Sequence, residues 1–249
     1  MKRIAILTAI HNRPEITDIF IERTKRAIRR ANTVNEYLFC AVASNDIVTP
    51  KLKDYSLELI TYTQNKPLGR KWNLGMQDVG NYISPDYVII LGSDDLISHS
   101  FLELVDHKIN QGYELISFND LYFYNLNRRR IKFNVCGYWA GRRKGFALGV
   151  GRVCGRRILD AINWAPWGET KDSGLDGSFV KRTKEFWNPT TTTLLFLKEH
   201  GAYCMDIKTE GNISGIGNFD IEEIDPRKLM SRFMDDDEIE RVFEYKMKL

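Results

Sequence analysis

Tyr87-Val88-Ile89-Ile90-Leu91-Gly92-Ser93-Asp94-Asp95 is the most strand-like run in the chain, and it stops on two adjacent carboxylates. An unbroken apolar run of this length suits a strand covered on both faces, as in a parallel sheet. Ile4 to Ile10 has the same texture and predicts a first central strand. Pro14 then fits the first turn of a helix. Ile16, Ile19, Phe20, Ala27 and Ile28 follow at helical spacing, with Lys25, Arg26, Arg29 and Arg30 on the polar side and at the C-terminal end. The unit recurs: Tyr37 to Ala43 predicts a strand ending in Ser44-Asn45-Asp46, and Leu57 to Thr63 another ending in Gln64-Asn65-Lys66-Pro67. Arg70 to Ile83 predicts a helix, weakened at Gly75 and Gly80 by about 1 kcal/mol each. Such alternation implies right-handed βαβ units and an α/β sheet whose ligand site lies at the carboxyl ends of the strands. Four polar loops, near His11, Asn45, Asn65 and Asp94, would then gather on one edge.

Beyond Tyr113 to Phe118 the texture changes to shorter, aromatic and basic strands, Leu121 to Leu126 and Ile131 to Trp139. A Gly-rich stretch and helix candidates at Arg156 to Ile162 and Asp176 to Lys184 follow. The stretch Gly149 to Gly155 misses the G-x-G-x-x-G spacing and reads as a flexible loop. No linker separates the halves, so they are expected to share one sheet. The acidic run Asp235 to Glu238 is expected to cap a final helix.

Composition narrows the classes. At 249 residues with 43% hydrophobic and 28% charged residues, the chain can bury a core without metal or disulfide staples, and it is not disordered or collagenous. Its net charge of +3 excludes bulk polyanion binding, so any phosphate or nucleic-acid partner must be sought in local clusters. Cys40, Cys136, Cys154 and Cys204 form no C-x-x-C pair and read as reduced, buried thiols. The apolar run before His11 is too short for a signal peptide or membrane span, and a cytoplasmic location is expected.

Two constellations carry chemistry. Ser93-Asp94-Asp95 puts paired carboxylates at a strand end, where hard oxygen ligands suit Mg²⁺ or Mn²⁺ bridging a diphosphate. An N-cap on a helix starting near Leu96 is the competing reading. Asn65-Lys66-Pro67-Leu68-Gly69-Arg70-Lys71-Trp72-Asn73-Leu74-Gly75 is a polar loop feeding a helix N-terminus. Gly69 there allows close backbone approach, and Arg70 and Lys71 can pair with phosphate; a solvated helix start is the alternative.

Thr8 to Pro14, the N-x-x-x-G-x-x-x-N-x-G segment from Asn65 to Gly75, and Leu91-Gly92-Ser93-Asp94-Asp95, in this order, resemble family 2 glycosyltransferases of the GT-A fold. The likeness covers roughly the first hundred residues. It implies an α/β, Rossmann-type mixed sheet flanked by helices. A nucleotide-sugar-binding half, 1–120, and an acceptor-binding half with a C-terminal extension, 121–249, would form one continuous domain. It further implies a nucleotide-sugar donor, of UDP type, across the strand ends and a divalent cation on Asp94 and Asp95. By the same likeness Thr8, Ala9 and His11 lie near base and ribose, Asp46 near the nucleobase, and Arg70 and Asn73 near diphosphate or sugar. Arg13, Asn65, Gly69, Ser93 and Asp94 are further donor-binding candidates. Members often read L-D-x-D-D, and here Gly92 stands in place of the first aspartate. A late histidine can complete the metal shell in this family.

Inverting members place an acidic general base at the start of a helix in the second half. Asp176 resembles that position best; an N-cap role for Asp176, or Glu169 or Asp172 as the base, are the alternatives. From Leu121 to Leu159 ten basic residues occur (Arg128, Arg129, Arg130, Lys132, Arg142, Arg143, Lys144, Arg152, Arg156, Arg157) and no acidic one. Tyr122, Phe123, Tyr124, Phe133, Tyr138, Trp139 and Phe146 are interleaved with them. The pattern predicts an anionic acceptor, DNA or a phosphate-bearing glycan; surface strands whose aromatics pack a core are the alternative. The expectation is a metal-dependent, inverting glycosyltransferase. Its rivals are a nucleotidyltransferase of similar fold and a non-enzymatic nucleic-acid-binding module.

Overall fold

Strand β1, Arg3–Ile10, is buried on both faces: Ile4 and Ile6 point into one apolar layer, Ala5 and Leu7 into the other. This period-2 split repeats along β2, Glu36–Ser44, and β4, Tyr87–Gly92, which explains why those segments read as unbroken apolar runs. The computed structural model describes residues 1–45, 51–126, 130–134, 147–208 and 223–245. With β3, Leu59–Thr63, these strands pair in parallel in the order β4-β1-β2-β3.

Connections in the first half follow the expected alternation. Helix α1, Pro14–Arg30, starts at its proline, and a short α2, Lys51–Asp54, precedes β3. Helix α3, Leu68–Asp78, runs into a π-helical turn, Val79–Ile83, so the predicted helix ends in a wider turn around Gly80, against which Trp164 packs. After β4 the chain makes a short strand β5, Asp95–Ile97, and then α4, His99–Asn110. Ser98, not Asp95, caps that helix, its hydroxyl accepting from the Phe101 amide at 3.0 Å. The capping alternative for the aspartate doublet therefore fails.

Strands β6, Leu115–Phe118, and β7, Leu121–Asn125, follow, then β8, Arg130–Asn134; the remainder of the predicted strand to Trp139 lies among residues 135–146, outside the described residues. Gly149 to Gly155 is not a flexible loop. It lies within β9, Leu148–Gly155, inserted antiparallel between β4 and β6. Val153 and Cys154 face opposite apolar layers, and Gly151, at φ +70°, leaves room for Phe101 and Phe118 where the register shifts. Its glycines hid a central strand.

Helix α5, Arg156–Ala161, helix α6, Leu175–Thr183, and β10, Thr192–Leu195, complete the first sheet, in the order β10-β6-β9-β4-β1-β2-β3. A second sheet has the order β12-β8-β7-β11-β5, with β11 at Cys204–Lys208 and β12 at Glu223–Ile224. Tyr122, Phe123 and Tyr124 are buried there, so these aromatics pack the core instead of offering stacking platforms. Helix α7, Pro226–Met230, leads to α8, Asp236–Glu244, which the expected acidic cap begins: Asp235 and Glu238 form a capping box. Glu238 also reaches Arg23 of α1 at 3.0 Å in a pair removed from solvent. Cys40, Cys154 and Cys204 are free, buried thiols, and no described helix is long and apolar enough to cross a membrane.

Candidate active site

The carboxyl ends of β1, β2, β3 and β4 meet on one edge, as the polar loops foretold. His11 Nδ1 lies 3.0 Å from Ser44 Oγ, and Ser44 in turn donates to Asn65 Oδ1 at 3.1 Å. Lys71, predicted to meet phosphate, is instead buried. Its ammonium donates to Ile10 O at 2.5 Å, Ser44 Oγ at 2.7 Å and Asn65 Oδ1 at 3.2 Å, tying three strand ends together. An unpaired buried ammonium is expensive, so three acceptors around it fix the floor of this edge. Thr8 is buried with its Oγ1 lacking a hydrogen-bond partner among the described residues, and Ala9 lies in register between Val42 and Gly92. Arg70 lines a cavity of about 230 Å³ together with Thr63, Gln64, Lys66, Pro67, Lys71 and Leu74. Asp46 lies outside the described residues.

The Asn65 to Gly75 motif has a second duty. Both polar atoms of the Asn73 side-chain amide are engaged with the Trp167 backbone, Nδ2 donating to its carbonyl at 2.8 Å and Oδ1 accepting from its N–H at 3.1 Å. The Gly69 amide donates to Lys171 O at 2.7 Å, and a Cβ at Gly69 would overlap the Gly168 carbonyl. Asp172 accepts from the Leu68 amide at 3.0 Å and so caps α3, which gives that carboxylate a structural task. The motif's close backbone approach is thus to the segment preceding α6.

At the end of β4 the two aspartates turn back on their own strand. Gly92 N–H donates to Asp95 Oδ2 at 2.5 Å, and a Cβ at Gly92 would come within 2.8 Å of both Asp94 Oδ1 and Asp95 Oδ2. The glycine that replaces the first aspartate of the family pattern therefore makes room for the other two. Antiparallel pairing of β5 with β11 sets Asp206 opposite Asp95, and carboxylate oxygens of Asp94, Asp95 and Asp206 lie within 4.8 Å of one another. Sequence reading missed Asp206. Its signal was a pair of charges at i and i+2, Asp206 and Lys208, on one face of an otherwise apolar strand.

Among the described residues two cations face this cluster. Arg13, at φ 96° in the left-handed region, donates to Asp94 Oδ2 at 2.8 Å, and its Nη2 lies 3.5 Å from Ser93 Oγ. A non-glycine residue held there is a strained conformation of the kind found at functional sites. Lys208 Nζ is 2.5 Å from Asp206 Oδ2. Burial works against both cations, but Asp94 beside Arg13 and Asp206 beside Lys208 outweigh it and raise their affinity for protons. Burial, with the neighbouring carboxylates, pushes Asp95 well above the usual carboxylate range; burial pushes Asp206 up to about 6 despite Lys208. Asp206 Oδ1 is buried without a hydrogen-bond partner among the described residues. Three crowded carboxylates, one with an orphaned oxygen, fit a hard divalent cation. Among the described residues the carboxylate that joins Asp94 and Asp95 is Asp206, while His200 sits in a 3₁₀ turn.

Asp176 lies in the first turn of α6, whose N-cap is Gly174, so it does not cap the helix. Its Oδ1 points at Gly149, where a Cβ would overlap it, and lies 3.8 Å from Arg152 Nη1. β9 runs antiparallel to β4, pairing Ile90 with Arg152, so Gly149 and Asp176 fall at the same sheet edge as Gly92 to Asp95. Of the ten basic residues, Arg152 is buried, Arg156 binds Ser84, and Arg157 pairs with Glu114 at 2.7 Å. The side chains of the other seven lie outside the described residues.

No protein-family model matches the chain, and no curated protein matches it by sequence. Its fold is that of solved structures of S. aureus TarS, the GT-A fold. The complex of TarS 1-349 with UDP-GlcNAc superposes at TM-score 0.59 with 16% identity over 85% of this chain and 60% of that one. The complex of TarS 1-349 with UDP gives 0.55 and 14% over 84% and 61%. A further TarS structure gives 0.53 and 14%, covering 84% of this chain and 35% of that one. The chain thus spans about three-fifths of TarS 1-349.

Proposed function

We propose that the protein is a glycosyltransferase that moves a sugar from a UDP-type donor to a hydroxyl acceptor with inversion at the anomeric carbon. The observation that carries this reading is the buried group Asp94, Asp95 and Asp206 at the carboxyl edge of a GT-A sheet. These three carboxylates would hold Mn²⁺ or Mg²⁺, which when bound supplies positive charge against a leaving diphosphate. Arg13, already aimed at Asp94, and Arg70, on the rim of the neighbouring cavity, add fixed positive charge on the same edge. Thr8, Ala9, His11 and Asn65, with Ser93, border the donor, and Asp46 meets the nucleobase. Asn73 and Gly69 act behind it, by holding the Trp167 to Lys171 segment.

Asp176 is the general base. Its carboxylate takes the proton of the acceptor hydroxyl while the acceptor oxygen bonds to the anomeric carbon. The bond from that carbon to the diphosphate breaks, and its electron pair leaves with the nucleotide. An anionic acceptor, DNA or a phosphate-bearing glycan, is the reading supported by the basic residues between 121 and 159. The free thiols support a cytoplasmic setting.

The test is a thermal-shift and hydrolysis screen of UDP-, GDP-, CDP- and TDP-sugars with and without Mn²⁺. The expected result is a Mn²⁺-dependent rise in Tm with a UDP-sugar, lost when Asp94→Ala and Asp95→Ala are combined. No shift with any donor, together with salt-sensitive DNA binding that survives both substitutions, would sink the enzyme in favour of a nucleic-acid-binding module.

A further inference from the structure

Arg152 is only 3% exposed, a cation in the middle of β9 with no place in the donor site. A buried guanidinium needs either a counter-charge or a full set of acceptors, because its desolvation is otherwise uncompensated. Its Nη2 donates to the carbonyls of Ala147 at 3.2 Å and Leu148 at 3.1 Å, and its plane lies 4.4 Å from the centre of the Phe179 ring on α6. Its Nη1 lies 3.8 Å from Asp176 Oδ1, with Asp176 one turn before Phe179 on the same helix. The ring contact and the two carbonyls hold the guanidinium with its Nη1 on the side of Asp176 Oδ1.

Gly149 completes the seat. It occupies the strand position facing Asp176 Oδ1, and any side chain there would overlap that oxygen. Its φ is not in the left-handed region, so the backbone does not require glycine; the carboxylate does. Strand β9 therefore offers Asp176 a cation at one residue and an absent side chain three residues earlier.

We propose that Arg152 is the positioning residue of the general base, holding Asp176 Oδ1 against Gly149 so that Oδ2 is the oxygen turned to the acceptor hydroxyl. The proposal rests on the glycosyltransferase reading and on Asp176 as its base. It assigns the proton to Oδ2 and leaves Arg152 charged throughout the reaction. Met replaces the volume of Arg152 without its charge, and Lys keeps the charge without the fork.

The experiment measures release of free sugar from UDP-GlcNAc, with water as acceptor and Mn²⁺ present, in full-length Arg152→Met, Arg152→Lys, Gly149→Ala and Asp176→Asn proteins. Expected are a fall in kcat of about 30-fold or more for Arg152→Met and Gly149→Ala, with KM for UDP-GlcNAc within twofold of the parent. Arg152→Lys should recover at least a third of the parent kcat, and Asp176→Asn should fall to background. If Asp176→Asn is inactive while Arg152→Met keeps the parent kcat, positioning by Arg152 is overturned and the enzyme reading stands. If Asp176→Asn keeps the parent kcat, or the parent neither binds nor cleaves any UDP-sugar, the underlying reading fails instead. Crystal structures of the Arg152→Met and Gly149→Ala proteins read the geometry without turnover: Asp176 Oδ1 is expected to leave its seat in both. Its staying in place in Arg152→Met also overturns the proposal.

Discussion

Two groups of buried charge meet at β5, one at the Ile97 carbonyl and the other at Asp95, and only one reads as a site. Between α1 and α8, Arg23 and Glu238 pair at 3.0 Å, and Arg23 also donates to the Ile97 carbonyl at 2.9 Å. Arg26 also lies 3.5 Å from Glu238, and Arg26 and Arg30 bind Asp235, so cations and anions are balanced there. At the sheet edge three carboxylates, Asp94, Asp95 and Asp206, meet two cations, Arg13 and Lys208. Burial alone therefore does not mark function, since the Arg23–Glu238 pair is more enclosed than the ion pairs at the carboxylate cluster. The mark is the surplus of negative charge among the described residues, held where strand ends converge and backbone strain at Arg13 is tolerated.

Breaking each group should separate stability from activity. Glu238→Ala leaves Arg23 buried without its partner and is expected to cost about 3–5 kcal/mol, a fall in Tm on the order of 10 °C by calorimetry. Affinity for a UDP-sugar should stay within twofold in the folded fraction; lost affinity at unchanged Tm would place this pair in the site after all. Asp206→Asn should do the reverse. UDP-sugar turnover is expected to drop at least about 100-fold and the Mn²⁺-induced rise in Tm to vanish. Without metal the Tm should hold or rise, because one of three crowded charges is gone.

Acidity sharpens the contrast further. Asp206 and Asp95 hold protons more tightly in the folded state than an ordinary carboxylate, so the folded state binds more protons between about pH 4 and 6. Stability of the metal-free protein attributable to this cluster accordingly falls as pH rises through that window. A divalent cation binds the ionised form and must displace those protons. Titration calorimetry should find Mn²⁺ bound about tenfold more weakly at pH 5 than at pH 7. Equal affinity at both values would remove Asp206 from the ligand set. The smallest effect is expected at the exposed rim of the structural group. Arg30→Ala should shift Tm by no more than about 2 °C, and less in high salt.

The first half of the fold was legible because β1, β2 and β4 are buried on both faces and α1 on one, so periodicity alone separates them. Ile4 to Ile10, Pro14 and Tyr87 to Leu91 sit where their patterns placed them. β9 was not legible, because Gly149, Gly151 and Gly155 look like loop residues until Asp176, Phe101 and Tyr87 are seen filling the space beside them. Asp94 and Asp95 could be found from their place after a strand. Asp206 could not be attached to them, since the pairing of β5 with β11 joins residues more than a hundred positions apart. Lys71 misled for a related reason: a lysine beside an arginine at a helix start reads as a phosphate contact or a solvated residue, and only the tertiary structure turns one inward.

β9 lies between β4 and β6. During synthesis the chain up to Phe118 would already have both neighbours of that strand, yet neither could pair along the edge reserved for it. Two unpaired edges are a template for other chains, so a fragment ending near residue 120 is a poor unit to express or to exchange between proteins. The nascent sheet has to wait for Leu148–Gly155 to leave the ribosome, and the strand that closes it is the one carrying Gly149 and Arg152.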